Sequence, residues 1–265
     1  MVTLTSCSLS NKVFEREIRN ACTAQPLQPE SLITPDEISH LPVCVQKYLT
    51  YTGAVGKSKT QNMRIEFDAE MYRKPGDKPM KSKSLQYNFY GKYSRLFVMK
   101  ASKMGIPFRA LHIYRNELAT FQVKVAELFK VVDIGGEKLT KAETVTLLND
   151  MCIFAPGSLT DSRLTWTELD ALSAKVTLAN GKYNVSAMLS FNETGQLTNF
   201  ISDDRAALQD DGSMKQVRWS TPVSDYKDFD GRKIPTVGKT IWHYAEGDFT
   251  YGVFTLKSIN YNLAQ

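Results

Sequence analysis

The sequence has few of the features that mark a membrane-spanning protein or a metal site. No stretch approaches the roughly 18 apolar residues in a row that suggest a membrane-spanning helix. There are only three histidines and four cysteines, and no two cysteines form a CxxC pair. Neither a zinc motif nor a disulfide framework can therefore be recognised, and we expect no metal and no cofactor.

Motifs of phosphate-binding and ester-hydrolysing enzymes are also lacking. The segment GAVGKS at residues 53–58 resembles part of a phosphate-binding loop, but Tyr51 stands where that motif requires glycine. No GxSxG sequence surrounds a serine, so a Ser–His–Asp arrangement cannot be inferred. Catalysis is left without a residue pattern that supports it.

The composition is that of an ordinary globular protein, with 42% hydrophobic and 23% charged residues. Much of the net charge of +5 comes from one segment, RKPGDKPMKSKS, which contains Arg73, Lys74, Lys78, Lys81 and Lys83. One interpretation is a solvated hairpin loop, and the other is a contact with anionic lipid headgroups. Because no nucleic-acid-binding motif accompanies the charge, we expect no nucleic-acid partner.

Residues 139–166 contain the one clear helix in a region of strand patterns. Thr140 and Glu143 have the spacing of a capping box, and Pro156 with Gly157 prevents continuation. An apolar stripe recurs at helical spacing, made of Ala142, Val145, Leu148, Met151 and Cys152. The pattern predicts a helix over residues 140–154 that packs against a sheet. Towards the N-terminus, Ser10 and Thr34 are predicted to cap two shorter helices.

Alternating patterns on both sides of this helix predict strands. From Met63 to Met71, apolar residues alternate with charged ones, and similar segments follow up to residue 261. The short connections allow only antiparallel pairing. About eleven strands with one polar face predict an α+β fold with a large curved antiparallel sheet, either an open half-barrel or a closed barrel. We favour the half-barrel, with the helix across its concave face and helices near the N-terminus. Residues 1–33 are expected to form a helix and linker, and residues 34–265 a single domain.

The interior of such a sheet is either a filled core or a pocket. The predicted pocket residues are Phe67, Tyr87, Phe121, Val123, Leu148, Trp219 and Trp242. A polar group follows downstream, consisting of Asp204, Arg205, Arg218, His243 and Tyr244. These residues could be structural ion pairs at a rim or could line the mouth of a pocket.

Several segments carry a resemblance to a known family. They are LPVCVQKYLTYTGAVGK, AETVTLLNDMCIFAPGSL, LTWTELD, ISDDR, VRWSTPVSDYKDFDGRKIP and TIWHYAEGDFTYGVFTL. In their order and spacing they resemble a bacterial domain family of unknown function, over residues 41–262. That family is similar in fold to the periplasmic lipoprotein carriers and receptors of the Lol type, half-barrels with an apolar concave face. The resemblance implies an apolar ligand and supplies no catalytic residues.

The resemblance favours a periplasmic or membrane-associated protein over a cytoplasmic one. Leu4-Thr5-Ser6-Cys7 has the form of a lipoprotein-processing box, but only three residues precede it. A secretory signal needs an apolar region of about 7 to 15 residues. The match is therefore due to chance, or the start lies downstream of the true one.

Three hypotheses about function follow. The first is a non-enzymatic binder or carrier of a lipid or another hydrophobic molecule in the bacterial envelope. The second is a hydrolase-type enzyme with a polar site around Asp204, Arg205 and His243, and the third is a structural or partner-binding envelope protein. An open apolar cavity favours the first, a polar cleft the second and a filled core the third.

Overall fold

The computed structural model describes residues 12–103, 105–209 and 211–264. Cys7 and Ser10, and the predictions made for them, lie outside these residues. Within them the α-helices are α1 (Lys12–Ala24), α2 (Pro35–Ile38), α3 (Val43–Tyr51) and α4 (Glu137–Phe154). The strands before α4 are β1 (Asn62–Met71), β2 (Met80–Phe89), β3 (Ser94–Lys103), β4 (Ile106–Arg115), β5 (Leu118–Val125) and β6 (Phe129–Gly135).

The strands after α4 are shorter at first and longest at the end. They are β7 (Leu164–Asp170), β8 (Ser173–Asn180), β9 (Tyr183–Phe191), β10 (Leu197–Ser202), β11 (Ala206–Leu208), β12 (Met214–Gln216), β13 (Arg218–Ser220), β14 (Val223–Phe229), β15 (Arg232–Tyr244) and β16 (Gly247–Tyr261). Val217 separates β12 from β13, and sixteen strands are present in the described residues where the alternating pattern predicted about eleven.

Fourteen strands of the described residues form one antiparallel sheet. Its order is β6-β5-β4-β3-β2-β1-β16-β15-β13-β10-β9-β8-β7, with β14 paired to β15, while β11 and β12 form a separate hairpin. Strands β1 and β16 join the two wings, and no pairing between the end strands β6 and β7 is present in the described residues. Helix α4 contacts β5 and β6 of one wing and β9 and β10 of the other, so the sheet curves around it. The predicted half-barrel with a helix across its concave face is confirmed.

Helix α4 is buried on nearly all sides instead of along a single stripe. It begins one turn earlier than predicted, with Gly136 at its N-cap, and no side chain caps it. The predicted capping box is wrong. The Thr140 hydroxyl donates to the Gly136 carbonyl at 2.9 Å and accepts from the Ala119 N–H at 3.1 Å. Glu143 is directed towards Arg95 instead, so its carboxylate belongs to the interior and not to the helix terminus.

The carboxyl end of α4 is held by tyrosines from two other elements. The Tyr48 hydroxyl of α3 donates to the Cys152 carbonyl at 2.6 Å, and the Tyr261 hydroxyl of β16 donates to the Phe154 carbonyl at 2.7 Å. These carbonyls lie in the last turn, where no partner within the helix is available. The hydroxyls therefore fix the position of the helix relative to the sheet.

Helix α1 packs on the outer, convex face of the sheet. Phe14 is fully buried in a second apolar cluster with Leu85, Phe89 and their neighbours. Tyr87 belongs to this cluster, and its ring lies 6.3 Å from that of Phe14 in an edge-to-face arrangement. The prediction that Tyr87 points into the interior is wrong. On β2 the apolar side chains lie under α1, and the alternate polar side chains point inwards.

The short helix α2 forms as predicted. The Thr34 hydroxyl accepts a hydrogen bond from the Glu37 N–H at 3.2 Å, and proline occupies the first turn. The division of the chain at residue 33 stays a prediction.

Candidate functional site

A cavity of about 380 Å³ lies between α4 and the concave face of the first wing. Its volume falls at the lower end of the range of about 300–1,000 Å³ that is usual for small-molecule sites. Most of the wall is apolar and is contributed by Phe67, Met71, Met80, Phe97, Met99, Phe108, Phe121, Val123, Trp219 and Phe254. Such a wall suits the hydrocarbon part of a ligand.

A network of charged and amide side chains forms the polar part of the cavity wall. Arg95 donates to Asp150 at 2.8 Å, to Glu143 at 3.1 Å and to the Gln86 side chain at 2.9 Å. Asp150 also accepts from the side-chain amides of Gln86 at 2.8 Å and Asn88 at 3.0 Å. Buried charges require such partners because removal from water destabilises them. The polar side chains Gln86 and Asn88 of β2 therefore point into the interior, where they pair with these charged groups.

The pKa values of the network follow from burial and neighbouring charge. Burial raises the pKa of Asp150 even though Arg95 opposes the change. Burial acts in the same direction on Glu143, but His112 in its protonated form, together with the charges of Arg95 and Arg205, outweighs it and lowers the pKa of Glu143. Arg95 resists desolvation because Asp150 and Glu143 raise its pKa. Arg95 and Glu143 are therefore a charged pair.

His112 on β4 is a neutral side chain at pH 7. Burial lowers its pKa to about 4, although the charge of Glu143 acts in the opposite direction. Its ring stacks on Phe121 with centroids 3.9 Å apart. Nδ1 lies 3.5 Å from Glu143 Oε2 and forms no hydrogen bond. Nδ1 can therefore donate to a further partner or accept from one, depending on which ring nitrogen carries the proton.

Arg205 enters the cavity from the second wing. Its guanidinium lies 4.1 Å above the ring of Trp219 and 5.2 Å from that of Trp242. One terminal nitrogen donates to the Tyr251 hydroxyl at 2.9 Å, and the other lies 3.9 Å from Glu143. Arg205 is therefore less fully paired than Arg95.

Four buried polar atoms around the cavity have no hydrogen-bond partner among the described residues. They are His112 Nδ1, Asn149 Nδ2, Arg205 Nε and Thr221 Oγ1. Asn149 and Thr221 are 4% and 5% exposed, so solvent does not readily satisfy them. Buried polar groups are nearly always paired, and a group of orphans in one cavity calls for an explanation.

The predicted pocket residues separate into three sets. Phe67, Phe121, Val123 and Trp219 line the cavity. Leu148 is fully buried on α4 and belongs to the filled core, and Trp242 stacks on Tyr251 next to the cavity wall. Tyr87 lies on the outer face, as described above.

The predicted polar group does not converge on one site. Arg205 lines the cavity, whereas Asp204 pairs with Lys141 at 2.7 Å and accepts from the Ser186 N–H at 2.9 Å. Arg218 forms an exposed ion pair with Asp203 at 2.7 Å. His243 faces away from the cavity, and Tyr244 is half-buried beside it in sequence. The arrangement of Asp204, Arg205 and His243 expected for a hydrolase is not present.

His243 does form a Ser–His–Asp arrangement, with partners that the sequence did not indicate. Its Nε2 lies 2.8 Å from Ser220 Oγ, and its Nδ1 lies 2.6 Å from Asp248 Oδ1. The three residues lie on the outer face, because Trp219 and Trp242, their neighbours in sequence, point inwards. Ser220 is only 2% exposed. Ser220 also does not line the cavity. A hydroxyl this buried gives a substrate little access, so we interpret the trio as a structural link between β13, β15 and β16.

A match to a protein family includes all the residues that line the cavity. Residues 31–254 match a family described as a family of unknown function, DUF6544, and this span is most of the chain. The chain belongs to DUF6544. Every residue that lines the cavity falls within the match, while α1 lies outside it. The resemblance inferred from the sequence segments is thereby confirmed. No curated protein matches the DUF6544 chain.

Two solved structures have a similar fold at low identity. One is an outer membrane lipoprotein-sorting protein domain from Vibrio parahaemolyticus, with 8% identity, a TM-score of 0.42 and coverage of 77% of this chain and 86% of that one. The other is a LolA superfamily protein from Nitrosomonas europaea, with 8% identity, a TM-score of 0.41 and coverage of 82% and 93%. Values this low carry no information about what the DUF6544 chain binds.

The described residues provide neither a metal-binding cluster nor a membrane-spanning helix. In the part of the chain that the structure describes, no group of three or more His, Cys, Asp and Glu side chains is arranged to hold a metal ion. None of the described helices of the DUF6544 chain has the length and apolar character needed to span a bilayer.

Proposed function

We propose that this DUF6544 protein is a non-enzymatic binder or carrier of a lipid or another hydrophobic molecule in the bacterial envelope. The observation that carries the proposal is the apolar cavity between α4 and the concave face of the sheet. Sites for small molecules are typically apolar clefts with a few fixed polar groups. This cavity combines ten large apolar side chains with one polar network, so it suits an amphiphile.

The wall is adaptable at one end of the cavity. Met71 and Met80 pair with each other at that end, and Met99 lines the wall on the next strand, level with Phe67. Methionine side chains are flexible and polarisable, and they fill irregular space without a fixed shape. Chains of different length or unsaturation could therefore be accommodated without movement of the sheet.

The same end of the cavity lies at a rim that suits contact with a membrane surface. The turns after β1, β3 and β5 all emerge there, because each strand pairs antiparallel with the next. The rim exposes Ile106, Leu128 and Phe129, which are 48%, 79% and 67% accessible. Exposed apolar side chains beside positive charge are attracted to anionic lipid.

The positive charge of the rim is concentrated in the loop between β1 and β2. Arg73, Lys74 and Lys78 are exposed in this loop, whereas Lys81 and Lys83 lie opposite Glu70 and Asp68 on β1. The two strand lysines are therefore partly compensated. We assign membrane contact mainly to the three loop residues, and we propose a periplasmic or membrane-associated location for the protein.

The first experiment is native mass spectrometry of protein purified from its own host, followed by extraction and lipid analysis. A stoichiometric amphiphile supports the proposal and identifies its class. Ala110 lines the cavity, and replacement by phenylalanine should fill it and abolish binding of a fluorescent fatty-acid probe. The matched control is Leu118→Phe, at a position 66% exposed, which should bind the probe normally. An empty protein that also fails to bind such probes would refute the proposal.

Membrane contact is tested with vesicles of phosphatidylglycerol or phosphatidylcholine. Replacement of Arg73, Lys74 and Lys78 by glutamine should remove binding to the anionic vesicles, and binding of the unmodified protein should weaken in high salt. The control replaces Lys81 and Lys83 by glutamine and should have a smaller effect. Equal binding to both vesicle types would contradict membrane contact through charge.

A further inference from the structure

Resting on the proposed function, we infer that the polar part of the cavity receives the carboxylate of a single-chain amphiphile, with Arg205 as its principal ligand. Four buried polar atoms without a hydrogen-bond partner point to this ligand group, namely His112 Nδ1, Asn149 Nδ2, Arg205 Nε and Thr221 Oγ1. All four belong to residues that line the same cavity. A ligand group placed among them would satisfy atoms that the protein leaves unpaired.

The unpaired atoms define the polarity of that ligand group. Arg205 Nε and Asn149 Nδ2 can only donate hydrogen bonds, whereas the imidazole nitrogen and the threonine hydroxyl can either donate or accept. The matching ligand atoms are therefore acceptors. A carboxylate has two oxygens and about four acceptor positions, so it can use several of these donors together.

The other charged groups of the cavity already face groups of opposite charge. Asp150 accepts from Arg95, Gln86 and Asn88, and Glu143 accepts from Arg95 at 3.1 Å and lies 3.9 Å from Arg205. Arg95 is in turn occupied by both carboxylates and by Gln86. A cationic ligand group would therefore compete with Arg95 and Arg205 for Glu143, while an anionic one would find Arg205 with an unpaired Nε.

Arg205 is placed to hold one negative charge. Its closest carboxylate oxygen, that of Glu143, is 3.9 Å away, and its guanidinium rests on the face of Trp219 at 4.1 Å. The aromatic ring and the Tyr251 hydroxyl at 2.9 Å fix its orientation. A phosphate monoester carries about −1.5 to −2 charges at pH 7, and the nearby Glu143 and Asp150 would repel the excess. A single negative charge fits better.

Recognition of a carboxylate predicts that, of two ligands with the same chain length, the protein binds the one with the carboxylate head group more tightly. Dodecanoate and 1-dodecanol have the same chain length and differ in the head group. Binding of either is followed by the change in tryptophan fluorescence, to which Trp219 in the cavity wall contributes. The unmodified protein should bind dodecanoate about 10- to 100-fold more tightly, the range that a hydrogen bond to a charged group provides. Arg205→Gln should lose this preference and bind 1-dodecanol within about twofold of the unmodified protein.

A matched control and a second variant make the test specific. Arg218→Gln removes an arginine from the neighbouring strand on the outer face, where it pairs with Asp203, and should leave both affinities unchanged. Asn149→Leu keeps the number and branching of the side-chain heavy atoms, removes one orphaned donor and should reduce dodecanoate binding alone. This variant tests the assignment even if Arg205→Gln does not fold.

The outcomes separate this inference from the proposed function. Equal affinity of the unmodified protein for both compounds overturns the carboxylate assignment but leaves hydrophobic binding in place. Retention of the preference in Arg205→Gln and Asn149→Leu also overturns it. Failure to bind either compound refutes the proposed function, and the assignment falls with it.

Discussion

Replacement of Asp150 by alanine is the most direct test of the polar network inside the half-barrel. Asp150 is 5% exposed and accepts hydrogen bonds from Arg95, Gln86 and Asn88 at 2.8–3.0 Å. Its removal leaves Arg95 with one remaining carboxylate partner and the buried Asn88 amide without its acceptor, while the Gln86 amide keeps Asn88 Oδ1 at 3.1 Å. Breaking a buried ion pair in this way costs about 3–5 kcal/mol.

The chain contains a matched control in Asp203. This carboxylate receives two hydrogen bonds from Arg218, at 2.7 and 3.0 Å, but its side chain is 62% exposed. Exposed pairs contribute about 0–1 kcal/mol. Asp203→Ala should therefore cost at least about 2 kcal/mol less than Asp150→Ala. Both substitutions remove an aspartate that pairs with an arginine, so the difference reports the burial of Asp150 together with its two additional amide hydrogen bonds.

Urea unfolding followed by both circular dichroism and tryptophan fluorescence provides the assay. For an m-value of about 1–3 kcal/mol/M, Asp150→Ala should lower the urea midpoint by about 1–3 M or more. Asp150→Asn separates shape from charge. Its side-chain carbonyl oxygen can take the place of Oδ2, which accepts all three hydrogen bonds, so it should be less destabilising than Asp150→Ala and its cost reports the lost charge. Equal midpoints for Asp150→Ala and Asp203→Ala would refute the reasoning and indicate that water enters the network freely.

Three further outcomes are expected. Between pH 6.5 and pH 4, the unmodified protein should lose up to about 3 kcal/mol more unfolding free energy than His112→Gln. Burial lowers the pKa of His112 from 6.5 to about 4, so only the unfolded chain binds the proton in this range. Urea unfolding of both proteins at pH 7, 5.5 and 4 measures the difference, and an equal loss of unfolding free energy in the two would contradict this. Phe14→Ala should release α1 from the outer face, seen as faster hydrogen exchange in α1 with unchanged exchange in β9; uniform acceleration would mean that α1 unfolds only with the whole domain. Ser220 should not react with a fluorophosphonate probe, because its hydroxyl is buried; labelling would restore the hydrolase hypothesis.

The strands were predictable because alternation is a local signal. On β1 the side chains from Met63 to Met71 alternate in burial as they alternate in polarity. The same argument was wrong for Tyr87, since periodicity shows that two faces differ but not which of them points inwards. On β2 helix α1 covers the apolar face, and the inner face carries Gln86 and Asn88. Only the packing of α1, a long-range contact, reverses the assignment.

The sequence did indicate part of the polar network, but the interpretation of Glu143 as a capping residue hid it. Glu143 and Asp150 lie seven residues apart, two turns along a helix that was already expected to be buried, and so they share a face. Interpreting Glu143 as a capping residue removed one member of this pair. Arg95 and Arg205 come from opposite wings of the sheet, and nothing local in their surroundings indicates that both approach Glu143. The cavity residues on β4 and β5 were predictable, whereas its charged end required the tertiary structure.

The pairing of β1 with β16 has a consequence for how the protein folds. Hydrogen bonds at this seam join groups 201 residues apart in sequence, such as the Gln61 N–H and the Asn262 side chain. Contacts of such long range close late and slow the folding reaction. During synthesis, the first wing has an open β1 edge and an uncovered inner face until the final strand leaves the ribosome. We therefore expect the nascent chain to need protection from aggregation over this interval. The stability of the complete half-barrel does not report this need.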